Sequence, residues 1–568
     1  MNLRCFVVCS VLAGAALGGA QSIHLPTSKQ ILPPVPGSPE RLNSLPMGTA
    51  WSPDHRYLAL INAGFGTVES NYEQSIAVLD TSTGKLIDNP DERTVVGAAQ
   101  TMYSGVAFSL DGTHLYASFD SLSSPNGGDA EHTGNAIAVY SFSEGGLKPE
   151  RLIPIPLQHL APGRTQNHGE EHMDAGLAIP APTGLAVVKD GAGTEKILVA
   201  DEFSDDMLLI DATTGKIENR VDLATGPVVP TEYPIAVVAA RDGRRAWVAL
   251  WNGSAVAEID LRSGKVTGRL SLMPPQHDVD PGSHPVAMTF SPDEKSLYVA
   301  LANRDAVAAI RLGGDTMRIA GIFDTRLPGQ TFFGAMPDAV AVSPDGSRLY
   351  AANSGSDAVA VFHVPSRLSA KKPVFAAGFV PTEWYPSALA VNGDHLYVAT
   401  AKSRGTGPNV EPQPAAEHPA PGQTPRMHRP HTYIATLLHG SLASIDRAGA
   451  ERDLTELTRQ TVASNMMDAA QKHLEFHAGS NPIHHVIYII KENRTYDQIF
   501  GDLSAGDGDS SLTMYGSEVT PNLHKLALQF GVLDNFYDSG EVSGDGHVWS
   551  TAAITSDYTE RDWQQSYR

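Results

Sequence analysis

Cysteine is nearly absent from this chain. Cys5 and Cys9 are the only two among 568 residues, and both lie at the extreme N-terminus. If the leading segment is removed on export, no thiol remains, which excludes disulfides, a thiol nucleophile and a thiolate metal site. Positive charge is also scarce: 41 Lys and Arg against 63 Asp and Glu give a net charge of −22. That balance argues against nucleic acid as a partner and against docking on anionic lipid. It still permits a small phosphorylated substrate, because a bound metal ion reverses the local field. Long apolar runs are missing too, and no stretch after the N-terminal one is long enough to span a bilayer. What is present is a globular composition, 42% hydrophobic and 18% charged. At this length two or more domains are expected.

The first twenty residues, MNLRCFVVCSVLAGAALGGA, have the make-up of a secretory signal. Arg4 is the basic region, Phe6 to Leu17 the apolar stretch, and Gly18-Gly19-Ala20 the small-residue cleavage site. There is no twin arginine, so the general export route is expected, with a periplasmic or secreted product.

A repeat fills the middle of the chain. Five segments align on Pro182, Pro234, Pro285, Pro337 and Pro386, at steps of 52, 51, 52 and 49 residues. Two earlier units put Pro46 and Tyr103 in the same place. In each unit an apolar strand reaches a turn rich in Pro, Asp and Gly, which supply the backbone angles of a hairpin. A second strand, a polar loop, a third strand and a turn into a fourth follow. Four short strands in a unit of this length is the blade pattern of a β-propeller. Seven units predict seven blades over residues 45–455.

The seventh unit is interrupted after Arg404 by a Pro-rich polar insertion and resumes at Thr432, whose segment is expected to supply the outer strands. An insertion between Gln166 and Gly176 carries His168, Glu170, Glu171 and His172. No repeat geometry fixes these, so a solvated acidic loop is the reading preferred over a metal site. Residues 456–483 read as a helical linker, with Leu454, Leu457, Val462 and Met466 at a loose helical period.

Residues 484–568 carry the candidate chemistry. Val486 to Ile490 is apolar on both faces, which predicts a strand buried in a parallel sheet. Ligands gather at the carboxyl ends of such strands, where Lys491, Glu492, Asn493 and Arg494 stand. Thr520 and Pro521 begin a helix whose buried stripe is expected at Leu523, Leu526, Ala527 and Phe530, ending at Gly531. VLDNFY reads as a further strand, Ser539 to Gly546 as a glycine-rich turn, and HVWSTAAIT as a helix. Ser543 is thus expected close to a helix N-terminus, where backbone N–H groups stabilise phosphate or an alkoxide. Asp507 and Asp509 read as a polar turn rather than a calcium loop, since the closing glutamate is absent.

Two resemblances follow from these residues. LYVAL, LYVAT and LYAAN make the middle of the chain similar to YVTN-family propeller repeats. ENRTYDQIFG and TPNLHKLALQFGVLDNFY resemble the phosphoesterase family of bacterial phospholipases C and acid phosphatases, within the alkaline phosphatase superfamily. That likeness implies a divalent metal ion held by Glu492 and Asn493. It also implies Ser543 as the nucleophile, eight positions after Asn535, with a phosphoseryl intermediate. It gives Arg494 and His547 no role. The implied fold is mainly β: a seven-bladed propeller followed by an incomplete α/β, alkaline phosphatase-like segment. The family's domain runs further, so 484–568 is expected to be its truncated N-terminal part, and this chain is expected to show little or no turnover alone.

The expected function is an exported, metal-dependent hydrolase of phosphoester bonds, acting on a phospholipid or a phosphomonoester. Its propeller would bind or position a partner that the sequence leaves unidentified. The alternative is a non-catalytic propeller scaffold with a vestigial phosphoesterase stub.

Overall fold

A computed structural model describes residues 21–567, apart from 96, 130–131, 167–175, 274–281, 314–315, 408–432, 468–475 and 477–478. The signal segment, the insertion with His168, Glu170, Glu171 and His172, and most of the Pro-rich insertion therefore lie outside the described residues. The chain forms two compact units. One comprises residues up to Met467 together with those from Ser556, and the other is Asp468–Thr555. The α-helices are α1 (Arg447–Arg452), α2 (Leu454–Ser464), α3 (Tyr496–Phe500), α4 (Pro521–Phe530), α5 (Ser543–Ala552) and α6 (Asp557–Tyr567). No helix among the described residues is long and apolar enough to cross a membrane.

The first unit is a seven-bladed β-propeller. Its innermost strands are Pro46–Trp51, Thr101–Phe108, Pro182–Lys189, Pro234–Ala239, Pro285–Phe290, Pro337–Val342 and Trp384–Asn392. Each contacts the innermost strand of the next blade, and the seventh returns to the first, so the ring closes. Apolar side chains gather between blades rather than in one centre, and each of the seven junctions has its own cluster. This explains the strand composition. A middle strand such as Tyr57–Asn62 is buried along its whole length between two neighbours, whereas the outer Lys85–Pro90 alternates toward solvent.

Closure of the ring departs from the sequence reading. The segment after the Pro-rich insertion supplies only the third strand of blade 7, Ser441–Asp446. The outermost strand is Glu40–Arg41 from the other end of the chain, paired antiparallel with Leu442 and Ser441. Leu42 N donates to Gly440 O at 2.8 Å, and Gly440 N to Asn43 O at 2.9 Å.

The repeat prolines mark a shared bend. The residue before each of them has positive φ: Leu45 (52°), Ala181 (53°), Tyr233 (53°), His284 (50°), Met336 (51°) and Tyr385 (63°). Left-handed backbone is costly for such residues, so something must hold it. Aspartates at the start of the preceding blade's third strand do so. Asp205 Oδ1 accepts from Glu232 N and Tyr233 N at 3.0 and 2.9 Å. Asp305 Oδ1 accepts from Ala335 N and Met336 N at 2.8 and 3.1 Å, and Oδ2 from Gly334 N at 3.0 Å. Asp357 Oδ1 accepts from Tyr385 N at 2.9 Å. A carboxylate of one blade thus fixes the entry of the next.

α2 begins two residues before the expected linker and packs on blade 6, where Thr458 Oγ1 accepts from Phe379 N at 2.8 Å. It covers the edge of that blade's outer strand, Gly378–Pro381. Met466, placed on the apolar stripe by sequence, is 47% exposed.

The second unit is built of helices and irregular chain, and two expected strands are absent from it. Val486–Ile490 and Val532–Tyr537 form no strand, and Val486 and Ile487 are 82% and 87% exposed. A strand needs a neighbour to take its N–H and C=O groups, and none of the described residues pairs with either segment. For the same reason the expected buried stripe of α4 is open: Leu526 is 53% and Phe530 76% exposed, while His524 is buried. The helix itself and its terminal Gly531 (φ 116°) are as expected.

Candidate functional site

In the second unit, Ser543 is the first residue of α5 and is solvent-exposed. The helix starts there because Asp545, fully buried, folds its carboxylate back: Oδ2 accepts from Glu541 N at 2.9 Å and from Val542 N at 3.4 Å. The turn before it requires glycine at 540, since a Cβ there would lie 2.0 Å from the Cβ of Asp545. Phe536 meets Trp549 edge to face, with ring centroids 5.5 Å apart, and so ties the preceding segment to α5. The positive end of the α5 dipole lies at Ser543.

The structure also brings together residues that the sequence reading left apart. His547 Nε2 lies 3.1 Å from Glu492 Oε2, with both side chains more than half exposed. Ser543 and His547 are four residues apart on one helix, so they share a face. That spacing was the available signal for His547, but it counts only once the helix is known to begin at Ser543. Asn493 gives its backbone carbonyl to Arg494 Nη1 at 2.6 Å, and Arg494 turns toward Tyr515, 3.2 Å from its hydroxyl. Asp509 Oδ1 accepts from Ser511 N at 2.8 Å, as a polar turn should.

The metal test is less favourable. Among the described residues no group of three or more His, Asp or Glu side chains is placed to hold an ion. Glu492 and Asn493, even with His547, fall short of the four ligands of zinc or the six to eight of calcium.

The second candidate site is the axial mouth of the propeller, wholly within the first unit. The N-terminal ends of the innermost strands open here, and α6 lies across them. Its N-terminus is capped by Ser556 Oγ, which accepts from Thr559 N at 3.1 Å. Blade 1 stacks Phe65 on Trp563, with centroids 5.4 Å apart. Blade 4 donates from Trp251 Nε1 to Asp557 Oδ2 at 2.6 Å, and blade 5 places His284 Nδ1 3.1 Å from Asp557 Oδ1. Blade 6 accepts from Arg561 Nη2 at the Asp338 carbonyl, 3.0 Å. Blade 7 donates from Lys402 Nζ to Glu560 Oε2 at 2.5 Å, its ammonium also 4.7 Å from the Trp384 ring centre. Blades 2 and 3 present buried Tyr103, Asp120 and Glu202, whose charged neighbours include Asp562. Burial pushes Asp120 and Glu202 far above the usual carboxylate range and Asp562 up to about 7. No reading of the sequence anticipated this helix.

A separate open cleft of about 520 Å³ lies where blades 7 and 1 meet, lined by Arg41, Glu69, Glu383, Arg404 and His439. Burial, together with the Arg41 charge, lowers His439 to about 4.

Comparison with known proteins bears on the propeller. The family model of the seven-bladed β-propeller lactonases matches residues 259–406, a minor part of the chain. Among solved structures, Pseudomonas aeruginosa periplasmic gluconolactonase is 18% identical, covering 60% of this chain and 86% of that one, with a TM-score of 0.43. Kuenenia stuttgartiensis hydrazine synthase is 16% identical, covering 66% and 96%, with a TM-score of 0.43. A putative 6-phosphogluconolactonase from Bacteroides uniformis is 16% identical, covering 61% and 90%, with a TM-score of 0.42. These likenesses are of fold alone. No curated protein sequence matches the chain.

Proposed function

We propose that the protein is an exported hydrolase of phosphoester bonds, with Ser543 as nucleophile and the propeller as a binding module. The observation that carries this reading is the alignment of Ser543 and His547 on one face of α5, with the Glu492 carboxylate 3.1 Å from His547. His547 takes the hydroxyl proton as Ser543 Oγ attacks phosphorus, and Glu492 orients the imidazole. The bond to the alcohol breaks, the alcohol leaves with a proton, and a phosphoserine forms. Water then releases phosphate and restores the serine. The positive end of the α5 dipole favours the charge that develops on the phosphoryl oxygens.

A divalent ion on Glu492 and Asn493 belongs to the same proposal, and it would need donors beyond those two. No step above passes through it. Export rests on Arg4, the apolar stretch and Ala20. The substrate, a phospholipid or a phosphomonoester, follows from the family likeness.

The test is hydrolysis of p-nitrophenyl phosphate and bis-p-nitrophenyl phosphate by the intact chain, with and without divalent ions. Ser543→Ala should abolish turnover, by three or more orders of magnitude. Turnover that survives in the variant sinks the reading. The lactonase match over 259–406 favours a second reading, in which the propeller itself opens a cyclic ester. Hydrolysis of δ-gluconolactone that is indifferent to Ser543→Ala would support it.

A further inference from the structure

The seat of α6 is short of cations. Arg561 is taken by Asp338, at 3.6 Å from its Oδ1, and Lys402 by Glu560. On blade 3, Arg220 is held by Asp206 at 2.5 Å, and on blade 7, Arg404 by Glu383 at 2.7 Å. On blade 4, Arg269 pairs with Glu232 at 2.7 Å.

That leaves three carboxylates, Asp120 on blade 2, Glu202 on blade 3 and Asp562 on α6, close enough to repel one another. Among the described residues none of the three is joined to a cation in an ion pair; Asp120 and Glu202 are fully buried and Asp562 is half-buried. Around them stand Asp201 and Asp205 of blade 3, also buried. The hydroxyls of Tyr103, Tyr233 and Tyr558 complete the surround, kept neutral by burial. From farther round the ring come Asp557 with His284, and Tyr385. Two fully buried anions and a half-buried third, mutually repelling, cannot share a site of low dielectric.

We propose that α6 is a proton-controlled plug of the propeller channel, seated while Asp120, Glu202 and Asp562 hold protons and expelled when they lose them. Expulsion uncovers an acid-lined mouth ringed by all seven blades.

The sign follows from the direction of the shifts. With α6 seated all three carboxylates titrate above their ordinary values, and release of the helix returns Asp562 to water. Seating is therefore fully favourable below the ordinary carboxylate range and is lost as pH rises. Asp562, at about 7 when seated, accounts alone for a ~100-fold fall in the seating equilibrium between pH 5 and pH 8. Asp120 and Glu202 add to it in the same direction.

Hydrogen exchange on the intact chain tests this, with intrinsic rates divided out. The amides of 557–567 should lose ~100-fold protection from pH 5 to pH 8, while strand Ser296–Leu301 keeps its own. Asp562→Asn should shrink the loss of protection between pH 5 and pH 8, leaving only the part that Asp120 and Glu202 supply. Should that variant fail to fold, Asp120→Asn should show a smaller pH dependence than the parent. Equal protection of the parent at both pH values overturns the proposal. So does a pH dependence unchanged in the folded variant, or one abolished by EDTA, which would make a metal ion rather than protons the switch.

Discussion

Asp305 offers the sharpest test of how the blades are joined. Its carboxylate accepts three backbone N–H groups, from Gly334, Ala335 and Met336. It does so from a left-handed residue (φ 49°). In Asp305→Ala the N–H groups of Ala335 and Met336, both buried, lose their acceptor at about 1–3 kcal/mol each. Alanine in left-handed backbone adds about 1 kcal/mol. Part of the total is recovered because burial of the Asp305 charge itself is unfavourable and pushes its pKa up. A net loss of about 4 kcal/mol is expected, a size that single substitutions reach only through such a mechanism. Asp305→Asn should cost less, about 1–2 kcal/mol. Its amide oxygen keeps the two bonds to Ala335 and Met336, it tolerates left-handed φ, and only the position facing Gly334 N–H becomes a donor against a donor. Urea unfolding of the intact chain, followed by fluorescence, measures both variants. If alanine and asparagine destabilise equally, or alanine by less than about 1 kcal/mol, the bend is not held by this carboxylate.

Two further outcomes concern the second unit. Glu492→Gln should leave stability unchanged, because the pair with His547 is exposed, while lowering phosphoester turnover ~10-fold, as loss of an orienting carboxylate does; a steady-state assay beside a melting curve separates the two. The His524–Asp502 pair, 2.8 Å apart, should make α4 most stable between about pH 4 and pH 6.5. The histidine is raised by its partner and loses its contribution as pH rises through that raised value, and Asp502, lowered to about 2, loses its own as pH falls toward it. Exchange of the α4 amides across pH 3 to 9 checks this, and a flat profile refutes it.

The propeller was legible because each blade solves one packing problem seven times. A strand squeezed between two neighbours must be apolar on both faces, and that signature repeats at a near-constant step. What escaped notice leaves no such mark. Glu40–Arg41 closes the ring through backbone pairing with Leu442 and Ser441, which most side chains allow. The helix DYTERDWQQSY is polar because its seat is polar, so no apolar period announces it. Val486–Ile490 erred in the opposite direction. Its composition satisfies the rule for a buried strand, but burial belongs to the partners as much as to the segment. At the candidate site the place of Ser543 at a helix start was readable from the glycine-rich turn. The approach of Glu492 to His547 spans 55 residues of chain and was not.

The seat of α6 raises the question of which contacts hold the helix and which only orient it. Trp563 is 4% exposed, and burying an indole withdraws some 150–250 Å² of surface. That is worth about 4–6 kcal/mol at the usual coefficient, before the stacking on Phe65. The Lys402–Glu560 pair is as deeply buried, at 1% and 4% side-chain exposure. A pair so placed roughly breaks even against its own desolvation. Removing one partner is another matter. Lys402→Met deprives the buried Glu560 of this ammonium, at about 3–5 kcal/mol, enough to expel the helix. Lys402→Met with Glu560→Leu removes both charges and should leave α6 seated, whereas Trp563→Ala should loosen it by itself. Protection of the 557–567 amides at pH 5 ranks the three. If the double variant exchanges as fast as Lys402→Met alone, the ion pair and not the indole supplies the affinity of the seat.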